Sequence, residues 1–193
     1  FNVKVLTTPK DPSEAVLSGV KDIIKKNKID PKNCRIIHGT TLVANALIER
    51  KGVKTALLTT QGFKDVLEIG REWRYDLFSL DLEMPLPIVP RHLRFEIEER
   101  MNFKGEIIKS LDETGLIKVA KKIANSGVET LAIVFMHSFK NAIHEKLAKK
   151  IIEAHVPNLN ICLSSIVSPD IGEYERTSTS VANAYVQPIF KSY

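Results

Sequence analysis

The sequence has few of the residues from which disulfides, metal sites and membrane spans are built. Its two cysteines, Cys34 and Cys162, form no CxxC pair and lie beside apolar runs, as small buried residues in a reducing compartment do. The five histidines follow no HExxH or paired-cysteine spacing, so no protein-built metal site is predicted. The longest apolar run, residues 131–136, is far shorter than the ~20 residues of a membrane helix. With no recognisable secretory signal, these features predict a cytoplasmic protein without a membrane segment.

The sequence also lacks a strong excess of charge of either sign. The 28 basic and 23 acidic residues give a net charge of +5, and the excess is spread over lysine-rich helices without interleaved aromatics. This distribution indicates solvated helix faces, and nucleic-acid binding is not predicted. The common nucleotide-binding motifs, G-x-x-x-x-G-K-[ST] and G-x-G-x-x-G, are both missing.

What the sequence does contain is an alternation of apolar runs and amphipathic helical patterns. An edge strand is predicted at residues 3–6, and the following strands at 35–37, 55–60, 94–101, 130–136 and 160–165. Strands that alternate with helices predict an α/β fold, a mostly parallel sheet with helices on both faces. A possible α/β subdomain covers residues 53–166. The last helix is predicted at about residues 174–185, stopping near Pro188.

Capping residues predict where two of the helices begin and end. After His38-Gly39, either Thr40 or Thr41 can cap a helix, and Gly52 has the position of its C-terminal cap. Ser110, with a glutamate three residues later, forms a capping box for the helix before the predicted strand 130–136. The helix after His38-Gly39 is open to two interpretations: an ordinary capped turn, which is the commoner case, or a place for an anion or a carbonyl oxygen.

The carboxyl ends of the predicted strands are polar. These ends are His38-Gly39-Thr40-Thr41, Thr59-Thr60-Gln61-Gly62, His137-Ser138 and Ser164-Ser165. Parallel strands end at one edge, where ligands bind in such sheets, so these segments are predicted to share one rim. His38 and His137 are therefore functional candidates, whereas His92, His144 and His155 are expected to be hydrogen-bonded structural residues. His137-Ser138 is a poor nucleophile–base pair because adjacent strand residues point to opposite faces.

Two further segments have alternative interpretations. Residues 71–90 form a long irregular stretch with Trp73, Tyr75 and Phe78, either a lid or binding loop or a crossing loop held by its aromatics. Tyr174-Glu175-Arg176 precedes an apolar helix, and its charges form either a surface salt bridge or groups that project toward the rim.

Many separate sequence blocks follow one another from LTTP (residues 6–9) to VQP (186–188), and they include HGTTLVANALIERKG, TALLTTQGFKDVLEIGR, YDLF, PLPIVPRHLRFEIEER, FMHSFKNAIHE and LSSIVSPDIGEYERTSTSVANAYVQP. Together, and in this order, these blocks make the chain resemble the N-terminal region of the hydantoinase A/5-oxoprolinase family. The resemblance implies an ATP-dependent enzyme with part of an actin-like ATPase, ribonuclease H-like architecture. Such enzymes open cyclic amides such as hydantoins or 5-oxoproline, or carboxylate ketones, commonly together with a second subunit.

In the reaction that the family implies, ATP phosphorylates the amide oxygen and water attacks the activated carbon, with Mg²⁺ offsetting the phosphate charge. The residues that match family blocks, and that are expected to line a cleft, are His38, Gly39, Thr40, Thr41, Asn45, Arg71, His137, Ser138, Glu175 and Arg176. No catalytic residue and no metal ligand is assigned among them.

The chain also departs from the family pattern. A DxGGTFTD-type phosphate loop normally precedes LTTP and a second glycine-rich motif follows the VQP block; neither is in this sequence. Gly172 and Glu72-Trp73 also differ from the usual residues. The chain is therefore expected to be an incomplete hydantoinase/oxoprolinase N-terminal region that by itself neither binds ATP tightly nor turns over. The alternatives are a non-catalytic α/β binding or interaction module and a fragment of a ketone carboxylase subunit.

Overall fold

The computed structural model describes residues 1–8, 11–74 and 76–192, with only the backbone described at 191 and 192. Pro9 of the LTTP block and Tyr75 of the long loop lie outside the described residues. The helices are α1 (Pro12–Lys26), α2 (Leu42–Ile48), α3 (Val66–Ile69), α4 (Glu113–Asn125), α5 (Ile143–His155), α6 (Ser164–Val167) and α7 (Glu173–Ser192), with 3₁₀ turns at Pro31–Asn33 and Arg91–Leu93. The strands are β1 (Thr55–Thr60), β2 (Arg94–Ile97), β3 (Arg100–Met101), β4 (Ile107–Lys109), β5 (Thr130–Val134) and β6 (Asn160–Leu163). No described helix has the length and apolar character that a bilayer crossing requires.

The core of the molecule is a four-stranded parallel sheet in the order β2-β1-β5-β6. Leu57 of β1 lies opposite Arg94 of β2 and Ala132 of β5. The central strands β1 and β5 are buried along their whole length. A strand that is covered on both faces has no solvent-facing positions, which explains why β5 is apolar after Thr130 and why β1 contains only apolar residues and threonine.

Helices cover both faces of this sheet, so the predicted α/β fold is confirmed. On one face Leu58 and Ile133 belong to a core cluster with Leu116 of α4 and Ala148 of α5. On the other face Leu57, Ala132 and Val134 pack with Leu67 of α3 and with Val181 and Ala184 of α7. Whether residues 53–166 form a subdomain of their own stays a prediction.

The connections from the neighbouring strands β1 and β5 leave the sheet on opposite faces. The β1–β2 connection contains α3, on the same face as α7, whereas the β5–β6 connection contains α5 on the other face. Where two such connections diverge, a crevice opens outside the carboxyl ends of the strands, and ligands of open parallel sheets bind there. A ligand site is therefore expected at the carboxyl ends of β1 and β5.

Two of the predicted strands are wrong. Residues 3–6 and 35–37 have no regular secondary structure, and Ile37 is 84% exposed. A strand needs a partner for its backbone N–H and C=O groups, and in the described chain neither segment joins a sheet. The segment His38-Gly39-Thr40-Thr41 therefore does not follow a strand of the sheet and is not part of the predicted rim.

Several predicted element ends also change. The predicted strand 94–101 divides into β2, in the main sheet, and β3, which pairs antiparallel with β4. The predicted strand 160–165 ends at Leu163, where α6 begins at once. Helix α7 continues past Pro188, because Ile189 still packs in the cluster that α7 forms with α2.

The predicted helix caps are partly confirmed. Thr40 Oγ1 accepts a hydrogen bond from the Leu42 N–H at 3.2 Å, as predicted, although α2 is only seven residues long. Gly52 is not its cap, since α2 ends four residues earlier; a Cβ at Gly52 would instead overlap the ring of Tyr185. Helix α4 is capped by Asp112, which accepts from a backbone N–H in its first turn, and not by Ser110.

Candidate functional site

Polar groups of three parallel strands meet at the carboxyl edge of the sheet. Strands β1, β5 and β6 are neighbours, so the residues that follow them lie side by side. The Met136 N–H donates to Thr60 Oγ1 at 2.9 Å, which joins the exits of β1 and β5. Ser138 Oγ lies 3.1 Å from Ser164 Oγ, which joins the exits of β5 and β6. The shared rim predicted from the sequence therefore exists at these three strands.

A buried hydrogen-bonded chain extends from this edge toward α5. The Thr60 hydroxyl, which accepts from Met136, donates in turn to Glu99 Oε1. The other carboxylate oxygen of Glu99 lies 2.7 Å from His144 Nδ1, and all three side chains are buried. His144 is a hydrogen-bonded buried residue, as expected, and its contact with Glu99 ties the β2–β3 junction to the start of α5.

Glu145 is a second buried carboxylate at the same edge, and four donors surround it. Its Oε1 accepts from the Ser164 hydroxyl at 2.6 Å and from the Phe135 N–H at 3.3 Å. Its Oε2 accepts from the N–H and the hydroxyl of Ser165 at 3.0 and 2.6 Å. One fully buried side chain of α5 thereby holds the ends of β5 and β6 in a fixed relation.

Arg176, in the first turn of α7, is fully buried against the end of β5. Its Nη2 donates to the Phe135 carbonyl at 2.8 Å and to both carboxylate oxygens of Glu173 at 3.0 Å, and its guanidinium lies 5.6 Å from the centre of the Phe139 ring. Burial raises the pKa of Glu173, and the charge of Arg176 offsets part of that effect. Nε and Nη1 of Arg176 have no hydrogen-bond partner among the described residues.

His137 follows β5 in a left-handed backbone conformation, with φ of 56°, that a non-glycine residue rarely adopts. The ring is half-buried. Burial lowers its pKa, and the charges of Arg100 and Arg176 lower it further, while Glu99 acts in the opposite direction. The imidazole is therefore neutral at pH 7, so it can accept a proton or a hydrogen bond.

A cavity of about 480 Å³ lies on the α3 and α7 side of this edge. It is formed by α3, the first part of the loop after it, residues 84–87 and Tyr174. Arg71 and Glu175 form an ion pair beside it, and the Arg71 guanidinium lies 5.2 Å from the centre of the Trp73 ring. The backbone N–H of Glu175 itself, and then Arg71, lower the pKa of Glu175, so the carboxylate is ionised at neutral pH. Both interpretations of the Tyr174-Glu175-Arg176 segment therefore apply: Glu175 forms a surface ion pair, whereas Arg176 turns toward the rim.

The residues around the second helix border a different cavity. His38, Thr40, Thr41 and Asn45 line a space of about 570 Å³ together with residues of the N-terminal segment and of α1. Gly39 is exposed, and a side chain there would meet no atom within 4 Å. The sequence-predicted site residues thus form two groups, one at this cavity and one, containing Arg71, His137, Ser138, Glu175 and Arg176, at the sheet edge and the cavity beside it.

Glu99 and Glu145 were not predicted from the sequence, and His144 was expected only as a hydrogen-bonded structural residue. A usable signal existed for Glu145. It stands three and seven residues before Ala148 and Ile152, on the buried face of α5, where a carboxylate is unusual. No comparable pattern marks Glu99, because its position depends on how β2 ends and β3 begins. In the described chain no group of three or more His, Cys, Asp or Glu residues is placed to hold a metal ion.

Comparison with known proteins identifies relatives of the whole chain. It is 36% identical to the caprolactamase subunit alpha of Pseudomonas jessenii over 98% of its own length and 28% of that protein. It is 31% identical to the 5-oxoprolinase of Saccharomyces cerevisiae over 99% of its length and 18% of that protein, and 31% identical to the acetophenone carboxylase gamma subunit of Aromatoleum aromaticum over 95% and 28%. The chain thus spans less than a third of the length of each.

The fold agrees with these sequence relationships. The crystal structure of the ATP-dependent caprolactamase from Pseudomonas jessenii matches 100% of this chain and 29% of its own chain, with a TM-score of 0.82. The family described as "Hydantoinase/oxoprolinase N-terminal region" matches residues 1–156. The chain therefore belongs to the hydantoinase/oxoprolinase N-terminal region family.

Proposed function

We propose that this chain forms part of an ATP-dependent enzyme that opens the ring of a cyclic amide of the hydantoin, 5-oxoproline or lactam type. The observation that carries the proposal is the match to the ATP-dependent caprolactamase, which extends over practically the whole chain in both sequence and fold. The match to yeast 5-oxoprolinase supports the same reaction class, since 5-oxoproline and caprolactam both contain a ring amide.

The chemistry explains why such an enzyme uses ATP. An amide carbonyl is a poor electrophile, and ATP with Mg²⁺ supplies the activation of its oxygen. The described residues do not by themselves fit a triphosphate. At the carboxyl edge the Gly62 N–H already donates to Glu96 Oε1, Arg176 is committed to Phe135 and Glu173, and Arg100 lies over the ring of Phe63. We therefore assign no ATP or Mg²⁺ contact to this chain.

The chain's own contribution, in this proposal, is one wall of the substrate cleft. The neutral His137 ring is held at the end of β5, where it can accept a hydrogen bond or a proton from a ligand or water. Ser138 and Arg176 are buried and hold the loop that carries it, and Arg71 and Glu175 border the adjacent cavity. His38, Gly39, Thr40, Thr41 and Asn45 are proposed binding residues of the second cavity.

A second subunit and a cytoplasmic location are further parts of the proposal. The caprolactamase relative is a subunit alpha and the acetophenone carboxylase relative a gamma subunit, so relatives of this chain work in multi-subunit enzymes. The same match to acetophenone carboxylase favours one alternative function, the ATP-dependent carboxylation of a ketone.

The test uses the full-length protein with its partner subunit. Purified complex is incubated with ATP, Mg²⁺ and either caprolactam, 5-oxoproline or hydantoin, and ring-opened product and ADP are quantified together. We expect product only with ATP, in a fixed ratio to ADP. Incorporation of labelled bicarbonate into acetone or acetophenone, with no ring opening, would replace this proposal with the ketone carboxylase alternative. If neither ring opening nor carboxylation occurs, with or without ATP, a non-catalytic binding module would be favoured.

A further inference from the structure

The loop that follows α3 carries a concentration of exposed apolar side chains. Within four residues, Leu77 is 71% exposed, Phe78 94% and Leu80 98%. Leu77 and Phe78 line neither of the two cavities at the base of the loop, so they do not belong to the wall of the cavity beside Arg71. Large apolar side chains that stand together in solvent indicate an interaction surface, because the exposed apolar residues of ordinary surfaces are scattered singly.

The outer part of this loop, residues 76–82, is called the outer loop here, and hydrogen bonds hold it in a defined turn. Asp76 Oδ1 accepts hydrogen bonds from the N–H groups of Phe78 and Ser79 at 3.1 and 3.2 Å, and Arg74 Nη2 donates to the Ser79 carbonyl at 3.3 Å. An aspartate that accepts from backbone N–H groups two and three residues later stabilises a turn locally. An apolar surface that is ordered before binding loses less conformational entropy when a partner covers it.

The charges around the outer loop are mostly negative, although the chain as a whole carries +5. Residues 71–86 contain four acidic and two basic residues. At the base, Arg50 and Glu175 add one charge of each sign: Arg50 Nη2 donates to the Leu86 carbonyl at 2.6 Å, and Glu175 pairs with Arg71. Carboxylates therefore outnumber guanidiniums by two. A surface that covers the loop is favoured when the charges at its rim are basic.

The mixture of apolar and charged residues fits a separate protein chain better than a continuation of the core. Asp76 and Asp81 flank the exposed apolar residues of the outer loop, and Glu83 follows. The interior of a folded chain seldom contains carboxylates, whereas interfaces between subunits combine an apolar centre with a charged rim. A second copy of this chain is disfavoured, because a contact between the outer loop and a different surface of the next copy is head-to-tail and need not close.

We propose that the outer loop is the docking site for the second subunit of the enzyme, which supplies an apolar pocket for Leu77 and Phe78 with a basic rim. The existence of that subunit rests on the proposed function, since the relatives include a subunit alpha and a gamma subunit. The position and the chemistry of the contact rest on the loop alone.

Hydrogen exchange tests the location of the contact in the full-length protein. Peptides that cover residues 76–82 are followed by mass spectrometry in the full-length protein alone, with ATP and caprolactam, and with the partner subunit. We expect the partner subunit to slow exchange at least about tenfold, and ATP with caprolactam to leave it unchanged. Slow exchange in the full-length protein alone would mean that the same polypeptide or a second copy covers the loop. Slowing only by ATP with caprolactam would mean that the loop is a lid, and each of these results would overturn the inference.

Matched phenylalanine variants test the apolar contact. Phe78→Ser removes the ring of the outer loop, whereas Phe103→Ser removes a 68% exposed ring from the turn between β3 and β4. Full-length parent and variants are co-expressed with the partner subunit, and mass photometry over a dilution series gives the dissociation constant of the complex. We expect Phe78→Ser to weaken assembly roughly thirtyfold or more, as truncation of a central interface residue does, and Phe103→Ser less than about twofold. Both rings are exposed, so circular dichroism of the variants should match that of the parent.

A charge variant tests the basic rim. Asp81→Asn should weaken assembly about two- to fivefold at low salt and leave it unchanged at high salt, because salt screens charges at the rim of an interface. An Asp81→Asn complex that matches the parent at both salt concentrations would overturn the basic rim.

The outcomes separate this inference from the proposed function. Equal effects of the two phenylalanine variants, or ring opening by the full-length protein without any second subunit, would overturn the docking site. If Phe78→Ser weakens assembly as expected but the parent complex opens no ring with ATP, the docking site stands and the proposed reaction fails. If the parent complex opens rings and Phe78→Ser leaves its dissociation constant unchanged, the proposed reaction stands and the docking site is wrong.

Discussion

Glu145 is the residue whose removal should most disturb the carboxyl edge. Its fully buried carboxylate accepts four hydrogen bonds, from the Ser164 hydroxyl, the Phe135 N–H and both donors of Ser165. In Glu145→Ala the two hydroxyls have alternatives, since Ser164 can turn to Ser138 at 3.1 Å and Ser165 is half-buried and can reach water. The two backbone N–H groups cannot turn, so they lose their acceptor.

The magnitude follows from those two groups. A buried donor without a partner costs roughly 1–3 kcal/mol, so the two N–H groups together cost roughly 2–6 kcal/mol. We therefore expect Glu145→Ala to lower the free energy of unfolding by roughly 3–5 kcal/mol, the middle of that range. For a chain of this size that corresponds to a fall in Tm of roughly 6–20 °C. Glu145→Gln keeps one acceptor but places an NH₂ group against one of the two N–H donors, so it should cost roughly 1–3 kcal/mol.

Urea denaturation followed by circular dichroism, together with thermal scans, measures both variants. The control is Glu153→Ala on the same helix, whose exposed i, i+4 pair with Lys149 is worth no more than about 0.5 kcal/mol. A cost within about 1 kcal/mol of the control for Glu145→Ala, or equal costs for the alanine and glutamine variants, would refute the reasoning from unsatisfied backbone donors.

Three further predictions concern other parts of the molecule. Gly52→Ala should destabilise the chain by about 1–3 kcal/mol because the new Cβ would overlap the Tyr185 ring, whereas Gly39→Ala, with open space around it, should change the urea midpoint little. The pKa of Glu175 is lowered by its own backbone N–H and the neighbouring guanidinium. The contribution of the Glu175 carboxylate to stability is therefore complete above the ordinary pKa of 4.5 and is lost as the pH falls through the lower folded pKa. In urea titrations at a series of pH values, the stability difference between the parent and Glu175→Gln should vanish below that range. NMR titration of His137 should give a pKa below its ordinary value of 6.5, since burial and nearby guanidinium groups oppose its protonation; a midpoint at or above 6.5 would contradict this.

The buried polar network gives the carboxyl edge a defined geometry before any ligand arrives. Thr60, Glu99 and His144 link β1, the β2–β3 junction and α5, while Glu145 and Arg176 hold the ends of β5 and β6 and the start of α7. A preorganised polar site avoids reorganisation when charge develops in a reaction. In the proposed enzyme these buried residues act by positioning the strand exits, including the segment after β5 that carries His137.

Much of the fold was predictable from the sequence because the responsible signals are local. The run at 130–134 is apolar after its first residue and the run at 55–60 contains only apolar residues and threonine, which indicated buried strands, and the order of strands and helices then implied parallel pairing. The polar tips of β1, β5 and β6 followed from that pairing. The segments at 3–6 and 35–37 could not be judged in this way, because an apolar run becomes a strand only where another strand supplies its hydrogen-bond partners.

By itself, the sequence determined the α/β class, the central strands, the shared carboxyl edge and the family. Only the tertiary structure decided how the candidate residues are grouped. Arg71 and Glu175 form an ion pair although they lie 104 residues apart, and His38 lines the second cavity, whereas His137 lies at the sheet edge after β5. Strand identity depends on hydrophobic periodicity within a few residues, whereas such contacts depend on how α3 and α7 pack on one face of the sheet and α5 on the other. That packing brings together segments that are far apart in the sequence, and the local sequence of one segment does not indicate the other.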